Sequence, residues 1–340
     1  MKHLWQSLLL LSALILGACG SIDEVPTPRP PTITPTPLST PLPSVATAVP
    51  AGFNADNPIQ IVIVPDDLTL ANESLANFES ALQELTDVAI RVTLAETQAE
   101  ASTAVCASES GTVSVAWVDG MTYTLAVAQG CGIGRLQANT PEGIGETGVL
   151  LMSSAYAEEG ISATVEDTIC RIAVDDVFSW TLPVLFYSAE GVTPSDFSDL
   201  SDIADNDGLI DRLQDGSCAS GGMTESAWQT YLSSDAEAGG TLAEDVIIAS
   251  TSPTIPYHVL LFSGSLALDA VVDIETALLT LDSLSGRAPA SDNTVETEVD
   301  AELMNALFGE GTLEELDDET DTALQTFVEA SGINFAGLSD

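Results

Sequence analysis

Ile59-Gln60-Ile61-Val62-Ile63-Val64, closed by Pro65, is a short β-branched run of the kind a buried strand requires. Apolar residues then recur at helical spacing over 72–85 (Leu75, Phe78, Leu82, Leu85), with Asn72 as the expected N-cap. Next come a strand over 89–94, a helix over 97–107, a strand over 112–118 closed by Asp119-Gly120, and a helix through 123–128. The rhythm continues with strands at 148–152, 169–174, 246–249 and 259–262. Helices are expected near 179–189, 207–214, 224–232, 266–281, 300–308 and 320–330, with a polar, acidic insertion over 291–300. This alternation predicts an α/β protein with mostly parallel sheets.

Upstream of that domain the chain has a different character. Lys2 precedes an apolar stretch, Leu8 to Leu16, which ends in Leu16-Gly17-Ala18-Cys19. A basic start, a short apolar core and small residues at a cut site make residues 1–18 a secretory signal peptide. The apolar run is too short for an ordinary spanning helix. Cys19 directly after Leu-Gly-Ala resembles the lipobox of bacterial lipoproteins, which implies a lipidated N-terminus. Residues 24–50 are almost wholly Pro, Thr, Ser and small apolar residues. Such a stretch cannot bury a core and favours polyproline II, with a reach on the order of 80 Å. Residues 19–56 therefore read as a tether and stalk.

From Asn54 on, roughly 285 residues remain, enough for two medium domains or one large one. The charge balance is extreme: 52 Asp and Glu against 7 Lys and Arg, a net charge of −45. Such a surface repels phosphate backbones and excludes nucleic acid as a partner. Four cysteines follow Cys19, namely Cys106, Cys131, Cys170 and Cys218. An even count in an exported protein predicts two disulfides, with three pairings open. No close Cys-x-x-Cys pair is present and the mature chain has one histidine, His258, so neither a zinc site nor any cofactor is expected.

Several motifs then occur in order: Ile61-Val62-Ile63-Val64-Pro65-Asp66, Val115 to Tyr123 (VAWVDGMTY), Cys170-Arg171, Trp180-Thr181-Leu182-Pro183, Asp215-Gly216-Ser217-Cys218, and Ala249 to Pro256 (ASTSPTIP). Together they resemble the phosphonate/phosphate-type substrate-binding proteins of ABC importers, over about residues 58–285. The resemblance implies a type II periplasmic-binding-protein fold, two α/β lobes with a hinge and an inter-lobe cleft. Lobe I is then 57–150 plus 246–340, and lobe II is 151–245. Within those lobes the pairing Cys106–Cys131 and Cys170–Cys218 is favoured. The implied partners are a small-molecule solute, an ABC permease and, through the lipid, the cell membrane.

Ligands of open α/β sheets bind beyond the carboxyl ends of strands. That rule and the resemblance nominate Asp66, Asp119, Tyr123, Asp175, Asp176, Phe178, Ser179, Trp180, Asp207 and Glu225 as ligand-binding residues. In the family the lobe II loop is a Ser-Thr-Ser-Gly cradle for an anionic head group. Here the matching positions read Asp176-Val177-Phe178-Ser179, so only Ser179 keeps a hydroxyl. A carboxylate facing a phosphate is repulsive, and lost hydrogen bonds add to the cost. Asp207 stands where the family has the Asp of a His-Asp pair, with Asn206 in place of the His. Two readings of the altered loop stay open. Either Asp175, Asp176 and Glu225 with Phe178, Trp180 and Tyr123 form an acidic, aromatic cleft for a cationic or polar organic solute, or the aromatics are packing residues and the carboxylates general surface charge.

Catalysis is not expected. His258 has no nucleophile at a recognisable spacing, and Gly130-Cys131-Gly132-Ile133-Gly134 follows a helix rather than forming a strand-to-helix phosphate turn. The sequence therefore describes an extracytoplasmic, membrane-anchored solute-binding lipoprotein of an importer. The alternative is a surface lipoprotein that keeps the fold for protein interaction or signalling.

Overall fold

The computed structural model describes residues 52, 55–65, 68–108, 112–287 and 299–333. The signal segment, Cys19, the Pro/Thr-rich stalk, Asp66 and most of the acidic insertion lie outside the described residues.

Two sheets organise the chain. The first is built from β1 (Ile59–Ile63), β2 (Ile90–Leu94), β3 (Ser114–Asp119), β4 (Gly132–Asn139), β10 (His258–Ser263) and β11 (Thr312–Glu315), in the order β11-β4-β10-β3-β1-β2. The second holds β5 (Gly145–Ser153), β6 (Thr168–Arg171), β7 (Asp199–Asp202), β8 (Ser220–Thr224) and β9 (Val246–Pro256), in the order β7-β6-β8-β5-β9. Each sheet is covered on both faces, so the fold is two α/β lobes.

In lobe I, one face packs Ile61, Ile63, Trp117 and Leu260 under α1 (Leu68–Thr86), α8 (Leu268–Leu284) and α9 (Ala301–Phe308). Its other face packs Val62, Ala116, Val118 and Leu261 against α2 (Gln98–Cys106) and α3 (Gly120–Ala128). In lobe II, α5 (Asn206–Gln214), α6 (Glu225–Ala238) and α7 (Leu242–Asp245) cover Val149, Leu151 and Met223. The opposite face receives α4 (Leu182–Ala189) and α10 (Asp318–Ala330).

The expectation of mostly parallel sheets is overturned. β1–β2, β1–β3, β6–β7 and β6–β8 pair in parallel, whereas β3–β10, β4–β10, β4–β11, β5–β8 and β5–β9 are antiparallel. Parallel pairs need crossover helices, and those exist only within the first part of each lobe. The chain leaves the first sheet after Asn139 and returns to it at His258, running outward and back side by side. The two passages pair as Gly145↔Pro256 and Glu146↔Ile255, and Tyr257 N–H donates to the Ile144 carbonyl at 3.1 Å. Both β5 and β9 therefore belong to the second sheet, which places the crossings outside the 150/151 and 245/246 boundaries.

α1 starts at Leu68, four residues before the expected cap, so Asn72 lies inside the helix rather than at its end. Thr97 caps α2 by accepting from Glu100 N–H. The disulfides are Cys106–Cys131, tying the end of α2 to the start of β4, and Cys170–Cys218, tying β6 to the residues that enter β8. α10 follows a strand of lobe I yet packs its Leu324 and Val328 with Leu150, Ile169 and Ile255, and sets Phe327 edge-on to Phe186 at 5.2 Å.

One buried ion pair secures the far end of lobe I. Arg287 lies 3.3 Å from Asp282, each side chain 3% exposed. Arg287 also donates to the Gly311 and Gly309 carbonyls, and Asp282 accepts from Leu313 N–H. Burial pushes the Asp282 carboxyl up and the Arg287 guanidinium down, each offset by the other's charge. Removing one partner strands the other in a dry site. Arg287→Met is expected to lose about 3–5 kcal/mol in denaturant unfolding, and the D282N/R287M pair less than the single change. A single-variant loss below about 1 kcal/mol would contradict this account.

Candidate functional site

Three strand carboxyl ends lead directly into the N-termini of helical segments: α3 after β3, a π-helical turn Val177–Thr181 after β6, and α6 after β8. Backbone N–H groups at such termini are unpaired unless capped, and they attract anions. In this chain a side chain of the chain itself takes one amide at each terminus. Asp119 Oδ1 accepts from Thr122 N–H at 2.8 Å and Oδ2 from the Thr122 hydroxyl at 2.8 Å. Asp176 Oδ1 accepts from Ser179 N–H, and the Asp176 carbonyl accepts from the Trp180 and Thr181 amides. Thr224 Oγ1 accepts from Ala227 N–H at 3.2 Å.

The remaining hydroxyl of the lobe II loop is also turned inward. Ser179 is buried, and its Oγ accepts from Ile172 N–H at 3.1 Å. Phe178 packs against the Gly148 backbone, where an added Cβ would lie 3.1 Å from its ring. Its carbonyl approaches Gly222 so closely that a Cβ there would sit at 2.1 Å. Glycines at 148 and 222 are what allow the π turn to lie on the sheet. Trp180 has the Arg171 guanidinium 4.5 Å above its ring, and Phe197 edge-on at 6.0 Å. Arg171 in turn donates to Asp202 at 2.7 Å.

The other nominated residues separate. Tyr123 is 1% exposed, and its hydroxyl donates to Asp321 on α10 at 2.6 Å. Asp207, in the first turn of α5, accepts from the Tyr231 hydroxyl on α6. Asp175 is exposed, and Glu225 stands half-buried in the first turn of α6. Thus Phe178, Ser179 and Trp180 share one turn capped by Asp176, Asp119 caps α3 of lobe I, and Tyr123 and Asp207 serve contacts elsewhere. Asp66 lies outside the described residues.

Two residues beside Asp119 were not among the nominated ligand-binding residues. Gln98 Oε1 accepts from Asp119 N–H at 3.1 Å, holding the start of α2 to the end of β3. His258 is the register partner of Asp119 on β10 and stacks on Trp117 with centroids 5.6 Å apart. Only the pairing of distant strands brings His258 there; its sequence neighbours carried no such signal.

Each arginine of the described residues is engaged: Arg91 with Glu79, Arg135 with Glu275, Arg171 with Asp202, Arg212 with Ser201 and Arg287 with Asp282. Among the described residues, no group of three or more His, Cys, Asp or Glu side chains is placed to hold a metal, and no helix is long and apolar enough to cross a membrane.

Residues 61–320 match the family model described as ABC transporter, phosphonate, periplasmic substrate-binding protein. No curated protein sequence is similar to the chain. Among solved structures, a Xanthomonas citri protein bound to ATP superposes with a TM-score of 0.51 at 11% identity, covering 81% of this chain and 96% of that one. A binding protein component of an ABC phosphonate transporter from Pseudomonas aeruginosa gives 0.41 at 11% identity, with 81% and 86% covered. PhnD1 from Prochlorococcus marinus, in complex with methylphosphonate, gives 0.40 at 10% identity, with 80% and 96% covered.

Burial and neighbouring carboxylates leave a spectroscopic mark. All five tyrosines of the chain have raised hydroxyl pKa values. The Asp167 hydrogen bond pushes Tyr156 to about 12. Burial and then the Asp207 hydrogen bond push Tyr231 to about 12. Burial dominates at Tyr123, Tyr187 and Tyr257. Because the folded values lie above the unfolded value near 10, their contribution to stability is full below about pH 10 and is lost as pH rises through the folded values. Absorbance titration at the tyrosinate band is expected to show little ionisation of the folded chain at pH about 10.5, where urea-unfolded chain is mostly ionised. Coincident curves would contradict these contacts.

Proposed function

We propose that this chain, which belongs to the phosphonate-type periplasmic substrate-binding proteins of ABC transporters, captures a small uncharged or cationic polar solute between its lobes rather than a phosphonate or phosphate dianion. Membership makes it an extracytoplasmic binding protein that delivers a solute to an ABC permease. The lipid anchor at Cys19, the stalk of residues 19–56 and closure of the lobes by hinge motion are parts of this proposal.

The observation that carries the ligand assignment is the Asp176 carboxylate on the Ser179 amide. A dianion at this turn would have to displace an internal carboxylate and then sit beside it. The same holds at α3, where Asp119 occupies Thr122. Charge-assisted caps of this kind are among the stronger hydrogen bonds, and like charges a few ångströms apart repel. A neutral or cationic solute meets no such penalty. The inward Ser179 hydroxyl supports the same choice.

Thermal unfolding of the full chain tests the ligand class, because a ligand that binds only the folded state raises stability by RT ln(1 + [L]/Kd). Millimolar phosphate, phosphite and methylphosphonate are expected to leave the midpoint unchanged, and Asp176→Ser is expected to permit anion binding that the native chain lacks. A midpoint rise of several degrees with any of the three in the native chain would overturn the assignment. Anchoring is tested separately: Cys19→Ser is expected to move the protein from the membrane fraction to the soluble fraction of the expressing cell. Retention in the membrane fraction would remove the lipid from the account.

A further inference from the structure

α10 belongs to lobe I by its chain and to lobe II by its packing. It leaves β11 through Leu316 and Asp317 alone, and Leu316 N–H donates to the Arg135 carbonyl of β4 at 2.9 Å. Its apolar side is then buried in lobe II, where Leu324 and Val328 join Leu150, Ile169 and Ile255, and Phe327 meets Phe186 of α4. The chain thus passes between the lobes at three places, the two runs of the ribbon and this link.

The two attachments of α10 differ in kind. Apolar contacts are non-directional, and a helix can slide an ångström or two on such a face while keeping it covered. The attachment to lobe I includes a directed bond. Tyr123 on α3 is 1% exposed, and its hydroxyl donates to Asp321, in the first turn of α10, at 2.6 Å. Both ends of that bond are held in place. The Tyr123 ring and hydroxyl lie against β4, where a Cβ on Gly134 would come within 2.7 Å of each. Both oxygens of Asp321 accept from Gln325 Nε2, at 2.8 and 2.7 Å. Carrying α10 away from α3 would leave a buried hydroxyl without its acceptor, a cost that sliding on the apolar face does not incur.

On its outer side the start of α10 borders a crevice of about 740 Å³. That crevice runs from Gly134 and Glu275 to Ile144 in the ribbon, and Asp317, Asp318 and Asp321 line it. This side of the helix is therefore not packed against lobe I and has room to move.

We infer that α10 is a strap that sets the angle between the lobes, riding on lobe II and fastened to lobe I by the Tyr123–Asp321 bond. The inference rests on the hinge in the proposed function, and not on which solute the cleft takes. Removing the fastening frees the angle without unfolding either lobe, since neither sheet is built through that bond.

The test is the distance between nitroxide labels on E84C in α1 of lobe I and E237C in α6 of lobe II, both exposed positions. It is measured by double electron–electron resonance on the full chain, without ligand and with the native disulfides intact. The labelled chain is expected to give one narrow distribution. Y123F, which removes only the hydroxyl, and separately D321A are expected to broaden it about twofold or to add a second distance. F78L, a buried change in lobe I away from α10, is expected to leave the width unchanged. D321A alters a half-buried side chain, so it stays informative if Y123F fails to fold. P256G, which loosens the ribbon, reports whether the lobes move at all. Broadening in P256G with native width in Y123F or D321A would overturn the strap alone. Native width in all three would overturn the hinge with it, and equal broadening in F78L would reduce the effect to general loosening and overturn the strap as well.

Discussion

An antiparallel ribbon joins the two lobes, beside the short link from β11 to α10. Residues leaving the first sheet after Asn139 run beside those returning at Tyr257, paired as Gly145↔Pro256 and Glu146↔Ile255 and tied by the Tyr257 amide on the Ile144 carbonyl. Gly120, the first residue of α3, sits on that ribbon: a Cβ there would lie 2.0 Å from the Pro256 carbonyl oxygen. The close approach sets where the Asp119 cap stands. Met121 and Leu125 of α3 then pack with Leu150 and Ile255 of lobe II and with Leu324 and Val328 of α10. The junction is thus a narrow strand pair flanked by two helices.

The solute assignment follows from how the helix termini around the cleft are satisfied. A terminus can leave its amides open for a ligand or close them with a side chain of its own, and the two uses compete. At α3 and at the π turn after β6, this chain closes them with aspartates. The adjoining aromatics are likewise engaged by the lobe itself, Trp180 beneath Arg171 and Phe178 against Gly148 and Gly222. What the family fold preserves here is the scaffold of capture.

Much of the scaffold was legible in the sequence. The β-branched run at β1 and the spaced apolar residues of α1 read correctly because a sustained pattern carries its own signal, and the ranges expected for α2 and α8 also hold helices. The glycine-rich strands did not. Gly132 and Gly134 in β4 and Gly221 and Gly222 in β8 weaken strand propensity, and both stretches lacked a strand pattern. Their glycines exist because neighbours press on the backbone, Phe262 and Tyr123 in one case and Leu209 and Phe178 in the other. The edge strands β7 and β11 are four residues long and carry Asp199, Asp202, Glu314 and Glu315, which blunts the edge and hides the strand. Both cysteine pairs were legible once the lobes were assigned. The partners of Tyr123 and Asp207 were not, because Asp321 lies 198 residues from Tyr123 and Tyr231 was read only as part of a helix face.

The central claim is that internal carboxylates already hold the amides a dianion would need. It is tested most directly by the backbone amide resonances of Thr122 and Ser179 while methylphosphonate is added to the folded chain. Both signals should stay in place through the titration. A saturable downfield movement of either would show the amides turning to the anion, and would contradict the account.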